Sequence, residues 1–258
     1  MPHIETTQID KITVIRMCLE NRMNSLEKEL RDELKQCLQQ FSTNKDSHVA
    51  VLTGVGKAFC AGGSLKELEG GMRDIAAVDY MKEVSELIVA ITTLEKPVIA
   101  AVNGAAVGAG FSLALACDIV IASHDANFSQ TFAKVGLIPD MGGLYFLPRI
   151  VGLHKAKELI FTAKMLTAAE AFDLGLVNHL VPSAELEAST LKLAEEISGG
   201  SMKAIALSKS ILSKSLQLSL ADVLEYEALA QAICMQSDDH REGIRAFYEK
   251  RFPDFSGK

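Results

Sequence analysis

Apolar residues fall along this chain in two patterns, short continuous runs and stripes at helical spacing, and their alternation sets the expected architecture. Ile4 to Ile9 and Ile12 to Met17 gather β-formers around Asp10-Lys11 and predict an opening hairpin. Leu26, Leu30, Leu34, Leu38 and Phe41 then recur at helical spacing, with Ser25 as the expected N-cap and Lys28 where a capping box would have glutamate. Val49 to Thr53 reads as a buried strand, and Tyr80, Val84, Leu87, Ile88 and Ile91 give a second amphipathic helix that ends before Pro97. Val98 to Val102 is a continuous apolar run closed by Asn103-Gly104, a strand buried on both faces and followed by a turn. Gly108-Ala109-Gly110 opens a small-residue run to Cys117 without a polar face, which predicts a buried helix whose first turn lies near Gly108. Asp118 to Ala122 is a further strand, Thr167 to Ala171 opens a short helix closed by Gly175, and Val177 to Val181 resumes a strand. From Ser183 the pattern is helical almost to the end, broken at Gly199-Gly200. Strand, glycine loop and helix in repeated order predict an α/β fold with parallel pairing and right-handed crossovers, although no exact sequence repeat is present.

The corner at Gly108 to Gly110 carries candidate chemistry. The first N–H groups of a helix lack intrahelical partners and sit at the positive end of its dipole. Glycine and alanine there let another molecule approach the backbone, an arrangement suited to a carbonyl oxygen that becomes negative during a reaction. A buried corner with glycines for packing alone is the other reading of the same residues.

Composition narrows the function classes. A chain of 258 residues can bury a sizeable core as one large domain or a domain with a helical appendix. A net charge of -7 argues against a nucleic-acid partner. Membrane insertion is not expected, because no apolar run reaches the roughly 20 residues that span a bilayer. The acidic start Met1-Pro2-His3-Ile4-Glu5 lacks a signal-peptide core, which points to a cytoplasmic protein of bacterial type or a mature organellar one. Cys18, Cys37, Cys60, Cys117 and Cys234 are irregularly spaced, so neither disulfides nor a zinc site is expected. The loop 54–67 matches neither GxGxxG nor the phosphate-cradling GxxxxGK[ST] pattern, and GxSxG and HExxH are absent from the sequence. The last sixty residues are rich in apolar positions, including Leu216, Leu220, Leu224, Leu229 and Ile233, and either cover the chain's own core or pack on sister subunits.

Four stretches, taken in order, resemble the enoyl-CoA hydratase/isomerase, or crotonase, superfamily: K-A-F-C-A-G-G-S-L-K-E at 57–67, K-P-V-I-A-A-V-N-G-A-A-V-G-A-G at 96–110, G-L-I-P-D-M-G-G at 136–143 and A-F-Y-E-K-R-F at 246–252. The resemblance implies a spiral of ββα units over residues 1–195 and a C-terminal helical oligomerisation region over 196–258, assembled as a homotrimer or as two stacked trimers. It also implies an acyl-CoA thioester as substrate, with coenzyme A entering as part of that substrate and no metal or redox cofactor. By similarity the N–H groups of Gly63 and Ala109 are the two donors that hold the thioester oxygen, each such donor typically worth ~3 kcal/mol to the reaction. Lys66 and Ala61 fall at CoA-binding positions, and Lys250 and Phe247 resemble tail residues that reach CoA phosphate or acyl chain, sometimes from a neighbouring subunit. Arg22 is a weaker candidate for CoA contact, and an exposed surface charge is the plain alternative for either lysine.

The chain departs from the hydratase pattern where the chemistry is decided. A hydratase uses two acid/base carboxylates. The two glutamates of the family's hydratases align with Ser112 and Phe132, and neither side chain does that work. Asp140 resembles the carboxylate that isomerases of the superfamily carry at this place, and the stretch Gly136 to Gly143 is closest to the phenylacetate-pathway isomerases. Its expected pKa is raised by an apolar setting of Ile138, Met141, Phe132 and Phe111. Pro-Asp-x-Gly is also good turn chemistry, and Phe111 and Phe132 are either core or, with Ser112, walls of the acyl pocket. Ser64 replaces the aspartate common after the first donor. The expected function is an enoyl-CoA isomerase with Asp140 as base; an atypical 2-enoyl-CoA hydratase and a non-catalytic acyl-CoA-binding protein are the alternatives.

Overall fold

The computed structural model describes residues 2–69, 71 and 73–255. The predicted hairpin is present as β1 (Ile4–Ile9) and β2 (Ile12–Met17), antiparallel with Ile4 opposite Met17 and Ile9 opposite Ile12. The following helix, α1, spans Lys28–Thr43 and buries Leu30, Leu34, Leu38 and Phe41. Its start corrects the sequence reading, because Glu27 rather than Ser25 occupies the N-cap and makes no side-chain cap bond. The cause is a tertiary contact: the Leu26 N–H donates to the Gly62 carbonyl at 2.8 Å, and Leu26 pairs with Gly63 in a parallel bridge that holds this stretch extended. The Glu67 carboxylate accepts the Lys28 N–H at 2.7 Å and takes over the capping role.

Three strand-strand-helix units follow. The first is β3 (Val49–Gly54), β4 (Ala58–Cys60), α2 (Leu65–Leu68) and α3 (Asp74–Thr92); the second is β5 (Val98–Val102), β6 (Ala105–Val107) and α4 (Ala109–Ala116). The third is β7 (Ile119–Ser123), β8 (Asn127–Ser129), α5 (Gly143–Val151) and α6 (Leu153–Thr162). In each unit the first strand joins a sheet ordered β1-β2-β3-β5-β7 and the second a smaller sheet begun by β4-β6-β8. Then come β9 (Leu166–Thr167), which completes the small sheet, α7 (Ala168–Asp173), and β10 (His179–Val181), which completes the large one. Pairing is parallel throughout except for β1 with β2 and β8 with β9. This is the expected ββα spiral. The three-residue strands β4 and β6 lie in stretches whose sequence predicts only loop or turn, and β8 in one given no element; each is defined by ladder partners from the neighbouring unit, Ala58 with Ala105 and Ala106 with Phe128.

Both faces of the large sheet are covered, as its near-continuous apolar strands require. Ile15, Leu52, Ala100 and Val102 face the main core with α1, α3 and α4. Val14, Val51, Ile99 and Ile121 face the other way, against α8 (Leu186–Ser198). The helical end continues as α9 (Met202–Ser215), α10 (Leu220–Met235) and α11 (Asp238–Glu249). Two asparagines pin the strand corners. Asn24, fully buried, donates to the carbonyls of Val55 and Ala58 at 3.0 and 2.8 Å, and Asn103 accepts the Gly54 N–H at 3.2 Å. Among the described residues no helix is long and apolar enough to cross a membrane.

Candidate active site

Two glycine corners, one after β4 and one after β6, meet because their strands are neighbours in the small sheet. The first is tied down on its outer side, where the Ala61 N–H donates to the Met23 carbonyl at 2.9 Å and the Gly62 carbonyl accepts from Leu26. At the second, Gly108 has φ +54° and ψ -125°, a conformation that L side chains rarely adopt, and its N–H donates to the Ser129 carbonyl at 2.8 Å. Helix α4 therefore begins at Ala109, the Phe111 and Ser112 N–H groups closing back on the Gly108 carbonyl at 3.0 and 3.1 Å, and all of its residues are buried. Gly62, at φ +94°, is packed so closely on this corner that a Cβ there would lie 2.7 Å from the Val107 carbonyl oxygen and 3.2 Å from the Ala109 nitrogen. No acceptor among the described residues takes the N–H of Gly63 or of Ala109. Two free amides are thus carried on adjoining corners.

The turn that carries Asp140 packs on the same helix through Gly143. The turn after β8 and its short 3-10 segment runs through Met141 at φ 47° and Gly142 at φ 80°, with the Asp140 carbonyl accepting the Gly143 N–H at 2.9 Å. A Cβ on Gly143 would stand 2.7 Å from the Ser112 Oγ and 3.0 Å from the Gln130 Nε2, so this turn rests on α4 one turn beyond Ala109. The Phe132 ring comes to 3.8 Å from the Cβ position of Gly108 and closes the corner from that side. The Asp140 Oδ1 is buried without a hydrogen-bond partner, and burial pushes the carboxyl up to about 6. The Gln130 Oε1 is a second buried acceptor without a partner, while its Nε2 donates to the Ser112 Oγ at 3.4 Å.

Comparison with known proteins decides what this arrangement belongs to. The family model described as enoyl-CoA hydratase/isomerase matches residues 9–258. The chain is a member of the enoyl-CoA hydratase/isomerase family. It is similar to the crotonyl-CoA hydratase of Syntrophomonas wolfei, 34% identical with 96% of each chain covered. It is equally similar to the 1,2-epoxyphenylacetyl-CoA isomerase of Escherichia coli, 35% identical with 92% of each covered. The crystal structure of an enoyl-CoA hydratase from Bacillus anthracis superimposes with a TM-score of 0.95 at 36% identity, covering 99% of this chain and 100% of that one.

Within this hydratase/isomerase family member the structure gathers some of the predicted site residues and disperses others. Gly63, Ala109 and Phe132 lie at the corner just described, Ser112 is one turn further along α4, and Asp140 belongs to the turn whose Gly143 packs on Ser112. Ala61 stands beside it, and Lys66 is exposed on α2, two residues past the N-cap Ser64. Ser64 is buried but makes no side-chain cap bond, so the corner is held by the backbone bonds of Ala61 and Gly62 instead. Phe111 packs against Phe128 with ring centroids 5.3 Å apart and is 1% exposed, so its surroundings are core. Ile138 is 74% exposed and forms no part of the apolar setting expected for Asp140, whose chain neighbours Pro139 and Met141 are the buried ones. The Arg22 guanidinium is taken by the Glu27 carboxylate. Phe247 and Lys250 lie at the end of α11, and the groove that Phe247 lines is walled by Ser201, Cys234, His240 and Phe255 rather than by either glycine corner. Gln130, buried beside Ser112, has no role in the sequence analysis; its available signal is a glutamine two residues after the apolar Phe128, on the same face of an extended stretch.

Proposed function

We propose that the protein is an acyl-CoA isomerase that moves a double bond of an unsaturated acyl group by a 1,3-proton shift. Asp140, as base, takes a proton from the carbon beside the thioester; the electron pair delocalises onto the thioester oxygen, and the N–H groups of Gly63 and Ala109 stabilise that oxygen as a dienolate. Asp140 then returns the proton two carbons away, so no proton, electron or water is consumed and no metal or redox group is required. The observation that carries this reading is the Asp140 carboxyl itself: its Oδ1 is buried and unpartnered and its pKa is lifted to about 6, which suits a group that must both take and give a proton near neutrality. Ser112 and Phe132 leave the two hydratase positions without a carboxylate. The test compares Asp140→Asn with the parent protein on a 3-enoyl-CoA; isomerisation that persists within a few fold removes Asp140 from the role of base.

A second reading, hydration of a 2-enoyl-CoA, draws support from the crotonyl-CoA hydratase among the relatives and from the buried Gln130 Oε1, an acceptor suited to hold a water beside Ser112. Normal turnover of crotonyl-CoA that Ser112→Ala abolishes supports this alternative. In either case α9 to α11 are the proposed self-association region, since α9 and α10 bury no residue within one chain and Leu220, Leu224 and Leu229 stand 75%, 54% and 60% exposed. Assembly through that region is also what would bring Phe247 and Lys250 to a neighbour's bound CoA. Light scattering distinguishes a trimer from a hexamer.

A further inference from the structure

Arg31 is the buried cation of α1, 2% exposed on a helix whose other buried positions are apolar. Its Nη1 donates to the Leu26 carbonyl at 2.5 Å and to the Glu67 Oε2 at 3.0 Å, and its guanidinium lies 5.5 Å from the centre of the Tyr80 ring. Each of these partners is tied to the first glycine corner or to the helices beside it. Leu26 donates its N–H to the Gly62 carbonyl at 2.8 Å and pairs with Gly63. Glu67 lies on α2, and its own N–H donates to the Ser64 carbonyl at 3.1 Å. The Glu67 Oε1 accepts the Lys28 N–H at 2.7 Å, and the Tyr80 hydroxyl of α3 donates to its Oε2 at 2.9 Å. Burial alone would raise the Glu67 carboxyl, but donation from Arg31, Lys28 and Tyr80 outweighs it and holds the group below the usual range, so the pair is ionised.

A buried ion pair is a poor source of stability compared with apolar packing, because desolvation offsets most of the attraction. What such a pair supplies is fixed direction, since a planar guanidinium bonds only along its own plane. We propose that Arg31 is a positioning residue for the oxyanion site, clamping the chain on both sides of Gly63, through Leu26 before it and Glu67 after it, so that the Gly63 N–H keeps its aim relative to the Ala109 N–H. The inference rests on the reading of those two amides as the thioester oxygen's donors. Gly63 itself is exposed and has no side chain to seat it, which leaves its orientation to the residues that flank it.

The test uses the full chain and whichever of acetyl-, butyryl-, octanoyl- and phenylacetyl-CoA the parent protein binds most tightly, labelled with 13C at the thioester carbonyl. Arg31→Met, Arg31→Lys and Glu67→Gln are compared with the parent for melting temperature, dissociation constant, rate of α-proton exchange at saturation, and carbonyl chemical shift of the bound thioester. Binding within a few fold of the parent is expected, with α-exchange slowed about tenfold to a hundredfold and a smaller downfield shift of the bound carbonyl, because a misaimed donor is lost to the charged state more than to the ground state. A merely structural role would lower the melting temperature and leave both the exchange rate per bound site and the carbonyl shift unchanged, and that result overturns the proposal. If Arg31→Met does not fold, Glu67→Gln, which keeps the shape and removes the nearer of the two carboxylates facing Arg31, the other being Glu83 at 3.8 Å, carries the same expectation and the same refutation. A parent protein that shows neither exchange nor a carbonyl shift refutes the two-amide reading as well as the clamp; parent-like variants beside an active parent refute the clamp alone.

Discussion

The Cβ that Gly62 lacks would stand 3.2 Å from the amide nitrogen of Ala109, so the two glycine corners are in van der Waals contact through their backbones. Nothing larger than hydrogen fits between them. Position 62 also holds φ +94°, which adds backbone strain to the clash for any other residue. Gly62→Ala is therefore expected to push Gly63 and Ala109 apart, lowering kcat on a 3-enoyl-CoA by about a hundredfold. Steady-state kinetics with circular dichroism as a check on folding measures it, and a folded variant with parental kcat would separate the amides from catalysis.

The Asp140 carboxyl predicts two pH dependences of opposite use. As a base it must be unprotonated, so the rate on the free enzyme should rise through about pH 6 and level off above it. As a buried acid whose pKa is raised from 3.8 to about 6, it holds its proton more tightly in the folded state, so its contribution to stability is present below about pH 4 and declines as pH rises through 6. Asp140→Asn should accordingly melt higher than the parent above pH 7, with the difference vanishing toward pH 4. Its isomerase rate should fall at least a hundredfold. Melting curves across pH, read beside the activity profile, check both halves.

Gln130 and Ser112 predict a stability result that separates a ligand-holding role from packing. The Gln130 Oε1 is buried without a partner, and its Nε2 bond to Ser112 is long at 3.4 Å. An unsatisfied buried acceptor costs about 1–3 kcal/mol. Gln130→Met, of similar shape and without that acceptor, should melt at or above the parent temperature while altering turnover of the acyl group. A drop of several degrees would mean that Gln130 is a structural hydrogen-bonding residue.

Lys66 is exposed on α2, three residues past Gly63. A contact to the remote end of CoA is made equally in the ground and transition states, so Lys66→Ala should raise KM several-fold and leave kcat unchanged. The same substitution should have no effect on a substrate truncated to acyl-pantetheine. An equal loss on both substrates would show that Lys66 acts through the corner and not through the nucleotide.

The sequence was most legible where one physical signal dominated. The run Val98 to Val102 became a strand with both faces buried, and the unpolarised run after Gly108 became a helix buried on every side. Ladder partners from a neighbouring unit made β4, β6 and β8, and three residues are too few to show a period. Ser25 lost its cap to the Leu26–Gly62 hydrogen bond, a tertiary contact that local capping rules do not contain. The Asp140 setting is half legible: the sequence predicts its burial, but apolar residue type alone does not show that Ile138 stands 74% exposed. Arg31 stands among the alternating charges of α1 and Glu67 at the end of the loop 54–67, and nothing in the sequence pairs them, since only the fold brings α2 and α3 over α1.

The central claim, that two backbone amides hold a thioester enolate while Asp140 moves one proton, is tested most directly by following a 3-enoyl-CoA in deuterium oxide by NMR with parent protein and Asp140→Asn. The account predicts that the parent forms the 2-enoyl product and exchanges the α- and γ-protons through one pool, and that the variant does neither at more than about a hundredth of that rate. Parental exchange in the Asp140→Asn protein, or formation of a 3-hydroxyacyl product without any γ-exchange, would contradict it.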